Sequence, residues 1–202
     1  MIATPHGSAD RDPPQRHVIV GISGASGSIF GIRLLEVLRQ CGVIIHLVMT
    51  KAAERTIVEE TDRSPGELKE LAHHVHAIQN IGASIASGSF RTAGMIVAPC
   101  SIRTVGAIAN CLADNLLTRA ADVMLKERRR LVLMVRETPL HAGHLKVMLG
   151  AAESGAIIMP PVPAFYTRPA SLDDIVNHTV GRALDLIDLD SGLVKRWSGQ
   201  SQ

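Results

Sequence analysis

Four short stretches of this chain carry residue types suited to holding a phosphate. Gly21-Ile22-Ser23-Gly24-Ala25-Ser26-Gly27 interleaves glycines with hydroxyls, and Thr50 stands just before a helical stretch. Pro99-Cys100-Ser101-Ile102-Arg103-Thr104 joins two hydroxyls to a cation, and Arg136-Glu137-Thr138-Pro139 adds a second arginine and a carboxylate. Glycine lets a ligand come close to the backbone, Ser and Thr supply O–H donors, and a guanidinium supplies a fixed fork of positive charge. Such a set suits a phosphorylated ligand, and a mononucleotide such as FMN is the expected size class. The first loop is neither Gly-x-Gly-x-x-Gly, because Ser23 lies where the middle glycine would be, nor a P-loop, because no Gly-Lys-Ser/Thr follows. Taken alone, it reads equally well as a tight strand-to-helix turn.

What must position these stretches is legible from hydrophobic pattern. Apolar runs at Val18 to Ile22, Val43 to Met49, Gly94 to Ala98, Leu131 to Val135 and Ala156 to Met159 read as buried strands. Between them, Ile32, Leu35, Val37 and Leu38 mark one helix. Leu116, Leu117, Ala120, Val123 and Met124 mark another, which ends in the basic run Lys126 to Arg130. The alternation predicts an α/β fold: one doubly wound, three-layer domain with a mainly parallel sheet, Rossmann-like or flavodoxin-like. Each phosphate-suited stretch comes directly after a strand, so all four are expected at the sheet's carboxyl edge, where open parallel sheets bind ligands. Residues 1–16, rich in Pro, Gly and Asp, are expected to be a flexible polar leader, and 17–202 the domain.

Composition narrows the function classes. At 202 residues, 46% hydrophobic and 20% charged, the chain has enough apolar material for one core. Its apolar runs are too short to span a bilayer. A net charge of +2 gives no broad reason to expect nucleic acid or an anionic membrane as partner. Cys41, Cys100 and Cys111 are odd in number and widely spaced, which favours a reducing cytoplasmic compartment over a disulfide framework. His73-His74-Val75-His76 lacks acidic or cysteine ligands at a diagnostic spacing, so a solvated helix end is expected and no metal is assigned. Cys100 has no identifiable histidine base and is expected to pack. His141 and His144 are left open between capping a helix and facing a subunit boundary.

Longer motifs carry a resemblance. Gly21 to Gly27, Ala86-Ser87-Gly88-Ser89-Phe90, Pro99 to Thr104, Arg119 to Arg129, Arg136 to Leu140 and Pro160-Pro161-Val162-Pro163-Ala164-Phe165-Tyr166 look like the UbiX-type flavin prenyltransferases, in the family's order and spacing from His17 to Trp197. The resemblance implies a metal-independent enzyme that joins a dimethylallyl group from dimethylallyl phosphate to reduced FMN, making a cofactor for a separate UbiD-type decarboxylase. It implies FMN binding by Gly24, Ala25, Ser26, Thr50, Ser101, Ile102, Arg103, Thr104 and Arg136. Tyr166 and Arg182 would hold the prenyl phosphate. Arg119, Lys126, Glu137 and Trp197 would join the active site, some across subunit boundaries, with Ser26, Glu60, Lys126 and Glu137 as catalytic groups. A homododecamer built from trimers is implied as well. Thr50 stands where serine is frequent in the family, and Arg103 where lysine is frequent.

Two other functions share these features. An FMN-dependent decarboxylase of the cysteine-decarboxylase type would carry a histidine in the helix after the second strand, and Lys51 to Asp62 has none. A non-catalytic flavin-binding partner subunit would not need Glu60, Lys126, Glu137, Tyr166 and Arg182 together. Without the resemblance, Arg119, Asp122 and Lys126 read as a solvated ion-pair stripe, Glu60 as a surface carboxylate, Glu137 as the partner of a nearby arginine, and Tyr166 and Trp197 as packing residues.

Overall fold

A computed structural model describes residues 16–197, so the expected leader lies almost wholly outside the described residues. Six parallel strands form one sheet in the order β3-β2-β1-β4-β5-β6. They are β1 (His17–Ile22), β2 (Ile44–Met49), β3 (His74–His76), β4 (Gly94–Cys100), β5 (Leu131–Val135) and β6 (Ile157–Ile158). Seven α-helices accompany them among the described residues: α1 (Ser28–Gln40), α2 (Lys51–Glu60), α3 (Pro65–Leu71), α4 (Ile102–Ala109), α5 (Leu116–Lys126), α6 (Ala142–Glu153) and α7 (Leu172–Asp185). Chain order reverses between β1 and β4, and a ligand crevice opens at such a switch.

Both faces of the four central strands are buried, which is why those strands read as unbroken apolar runs rather than alternating ones. Val18, Val20, Ile22, Ile45, Leu47 and Met49 face α1, α2, α3 and α7. Ile19, Val48, Met95, Val97 and Leu133 face α4, α5 and α6. Helix starts follow side-chain capping: Thr50, Ser64, Ser101, Asn115, His141 and Ser171 each accept an amide of the first turn. His141 therefore caps α6, one of the two roles left open for it.

Several strand bounds depart from expectation. Val43 precedes β2, β4 runs on through Cys100, and β6 shortens to two residues. His73 to His76 is not a helix end: its last three residues form β3, paired with His46 to Val48. The histidines stack across strands, a cross-strand packing that a strand-propensity reading overlooks. His46, 3% exposed, sits 3.0 Å from His17 through Nε2 and 3.0 Å from His76 through Nδ1, with the Phe90 ring edge-on at 5.1 Å. Both of its ring nitrogens are engaged by different neighbours, so the rings run in a row instead of converging on one point. Burial first, then the surrounding His74, His76, His17 and His73, pulls the His46 imidazole down to about 3.

Candidate functional site

Four strand ends meet around one cleft of about 620 Å³, lined by Gly24, Ala25, Ser26, Thr50, Ala52, Ser101, Ile102, Arg103, Thr104, Arg136 and Glu137. Its volume falls inside the range of small-ligand sites. Every residue expected to bind FMN lines it. Ala52 joins them without having been singled out, and its place just after Thr50 at the start of α2 was the available signal.

The loop after β1 is fixed by contacts distant in sequence. The Ser23 hydroxyl donates to the Pro99 carbonyl at 3.0 Å and accepts the Ser101 amide at 2.7 Å, while the Ser23 amide donates to the same carbonyl at 3.1 Å. Ser23 is thus a buried stitch between the first and third stretches, a role its sequence position did not reveal. Gly24 allows the loop to lie on α2, since a Cβ there would stand 2.2 Å from the Ala52 Cβ. Gly27, at φ 99, makes the left-handed step into α1 that few other residues tolerate.

The cleft is built to receive an anion. Thr50 accepts the Ala53 amide at 3.1 Å and Ser101 accepts the Thr104 amide at 3.3 Å, so α2 and α4 both begin at its wall. Helix starts present N–H groups and the positive end of the macrodipole. Because the Thr50 hydroxyl is used as an acceptor in its cap, its proton stays free to donate to a ligand. Arg136 is exposed at the rim and makes no ion pair among the described residues. Arg103 reaches Asp114 at 3.6 Å with both side chains largely exposed, a pairing of small worth. Glu137 bonds the Thr138 amide at 3.1 Å and is paired with no arginine among the described residues.

Glu60 closes α2 and is not among the residues that line the cleft. Its carboxylate accepts the amides of Gly27 and Ser28, each at 2.9 Å, and supplies the anionic cap that α1 lacks in its own sequence. Partial burial pushes its carboxyl upward. Hydrogen bonds from the Ser28 amide, the Ser26 hydroxyl and the Gly27 amide outweigh that and hold the group below its ordinary value. It is therefore ionised at neutral pH, and its amide partners Gly27 and Ser28 directly follow Ser26, which lines the cleft.

The remaining expected residues do not line this cleft. Tyr166 is in a 3-10 turn, Phe165–Thr167, with its ring edge-on to Trp197 at 5.9 Å; the two are 56% and 66% exposed. Arg182 on α7 donates to Asp185 at 2.7 Å, and Asp185 also accepts Arg196, the neighbour of Trp197. These contacts tie Tyr166, Arg182 and Trp197 into one exposed patch. On α5, Arg119 pairs with Asp122 at 2.9 Å, the ion pair their spacing suggested, whereas Lys126 pairs with its neighbour Glu127 at 2.7 Å instead of Asp122. Cys100 is fully buried and burial pushes its thiol far up, so it packs as expected. No helix among the described residues is long and apolar enough to cross a membrane.

Comparison with known proteins matches this architecture. The Flavoprotein family model covers residues 6–184. The flavin prenyltransferase UbiX of Thauera aromatica is 60% identical over 185 residues, 92% of this chain and 95% of that protein. The crystal structure of AnUbiX (PadA1) in complex with FMN and dimethylallyl pyrophosphate superposes with a TM-score of 0.90 at 51% identity, covering 93% of this chain and all of that one. A dodecameric FMN-dependent UbiX-like decarboxylase from Escherichia coli O157:H7 gives a TM-score of 0.88 at 47% identity, with 91% and 100% coverage. With more than nine-tenths of its length matched at 60% identity by one relative and superposed on another at a TM-score of 0.90, the chain belongs to the UbiX-type flavin prenyltransferases.

Proposed function

We propose that this protein transfers a dimethylallyl group from dimethylallyl phosphate to reduced FMN held in the cleft at the carboxyl edge of β1, β2, β4 and β5. The observation that carries this reading is the meeting of four separate strand ends around one anion-suited cleft. The residues fit the group: Thr50, Ser101, Thr104 and Arg136 are the donors for its phosphate, and Gly24, Ala25 and Ser26 offer backbone for close approach. When bound, reduced flavin supplies the electron-rich ring that takes the prenyl unit.

The protein's own groups position, shield and move protons. Tyr166, Arg182, Arg119, Lys126 and Trp197 make up the prenyl-phosphate side, where cations offset charge on the departing phosphate. The exposure of Tyr166 and Trp197 supports a site completed by a second copy of the chain, and a homododecamer supplies such junctions. Glu60 is the proton acceptor, held by the Gly27 and Ser28 amides that follow cleft-lining Ser26, and Glu137 is the second carboxylate at the rim. The prenylated flavin passes to a separate UbiD-type decarboxylase. Free thiols at Cys41, Cys100 and Cys111 support a reducing, cytoplasmic setting.

Anaerobic incubation of the purified chain with reduced FMN and dimethylallyl phosphate, followed by mass analysis of the extracted flavin, tests this. A flavin heavier by one prenyl unit is expected; unmodified flavin under turnover conditions would overturn the reading.

A further inference from the structure

The Tyr166 ring is edge-on to two partners, Trp197 and His178, each at 5.9 Å with the planes near perpendicular. His178 is on α7, one helical turn before Arg182, so both project from the same face of that helix. It is 8% exposed, and its Nε2 is 3.5 Å from the Tyr166 hydroxyl. Its Nδ1 is buried with no partner among the described residues. A spacing of 3.5 Å is long for a hydrogen bond and typical of a site that tightens when its ligand binds.

We propose that His178 is the positioning residue for Tyr166, donating from Nε2–H to the tyrosine oxygen so that the tyrosine O–H points outward to the prenyl phosphate. The inference rests on the reading that Tyr166 holds that phosphate. Phosphate oxygens only accept, so Tyr166 must donate to them, and its contact with His178 must then have the imidazole as donor. That tautomer leaves Nδ1 as a bare lone pair, in keeping with its lack of a partner. Trp197 holds one edge of the tyrosine ring and His178 fixes the hydroxyl, which confines an otherwise exposed side chain to one rotamer. Asp185 draws Arg182 and Arg196 together one turn further on, so α7 carries the tyrosine anchor and the phosphate arginine as one rigid unit.

The test compares His178→Leu, His178→Gln and Tyr166→Phe, with the double variant His178→Leu/Tyr166→Phe, in anaerobic assays of the full chain. His178→Leu is expected to raise KM for dimethylallyl phosphate about tenfold, the worth of one hydrogen bond, and to leave FMN affinity unchanged. His178→Gln keeps an N–H donor and is expected to restore most of that loss, which a packing role would not predict. The double variant is expected to be no worse than Tyr166→Phe, because one interaction cannot be lost twice. His178→Met takes the place of His178→Leu if the latter does not fold. An unchanged KM in the histidine variants, with Tyr166→Phe impaired, overturns the role of His178 alone. An unchanged KM in Tyr166→Phe overturns both the reading of Tyr166 and the positioning role that rests on it.

Discussion

The cleft at the carboxyl edge of the sheet and the Tyr166–Trp197 patch are made in opposite ways. In the cleft, backbone and short side chains do the holding: Ser23 ties the first loop to Pro99 and Ser101, hydroxyls cap α2 and α4, and Gly24 lets Ala52 close in. The patch consists of long side chains on the surface, with its cations turned to Asp185 and its aromatic rings more than half exposed. The first site is fixed by folding of a single chain. The second is assembled on the surface, and on our proposal another copy of the chain brings it to a cleft.

This contrast is sharpest for Arg136. Loss of its charge-assisted contact in Arg136→Ala should weaken FMN binding by about ten- to a hundredfold and leave the affinity for dimethylallyl phosphate as it was. Equal FMN affinity in a titration of the folded variant would break the division between the sites. Gly24→Ala attacks the backbone design directly. With its Cβ 2.2 Å from that of Ala52, it should lower unfolding free energy by about 1–3 kcal/mol and loosen FMN binding. Tyr166→Phe should change neither quantity in the same denaturation and titration series.

The histidine row belongs to neither region and serves as a reference. Native His46 stays neutral down to about pH 3, whereas in the unfolded chain it takes up a proton near its ordinary 6.5. Stability is thus lost as pH falls from 6.5 toward 3, by about 1.4 kcal/mol per pH unit for this one proton. His46→Leu should flatten that slope in pH-dependent denaturation and leave FMN affinity untouched. Glu60 behaves with the opposite charge. Its carboxyl lies below the ordinary 4.5, so its contribution is present above that pH and is lost as pH falls through the lower native value. Glu60→Gln should cost about 1 kcal/mol of stability at neutral pH, the scale of a lost helix cap, and the cost should fade in acid. Its effect on prenylation should be larger than the stability change explains, and full-rate product formation would leave Glu60 as a cap only.

The regions also differ in how far the sequence announced them. Buried parallel strands such as Val18 to Ile22 and Leu131 to Val135 show as unbroken apolar runs. Parallel strands all end at the same edge of the sheet, so the residues just beyond them gather there and the cleft was legible. Ser23 was not, because its partners are Pro99 and Ser101, more than seventy residues away. β3 was missed because His74-Val75-His76 is only three residues long, with a single β-branched residue, too short to register as a strand pattern. Tyr166, Arg182 and Trp197 have no shared pattern in the sequence. Resemblance pointed to them, and folding around α7 is what brings them together.

The division of the site between copies is the central claim, and subunit complementation tests it most directly. Arg136→Ala weakens the cleft and Arg182→Ala the patch, and with FMN held near the dissociation constant of the unmodified protein each variant alone should be nearly inactive. Co-expressed in one assembly, some junctions pair an intact cleft with an intact patch, and prenylated flavin should reappear in the anaerobic mass assay. If the mixed assembly stays as inactive as its two parents, cleft and patch serve each other within one chain, and the division between copies is contradicted.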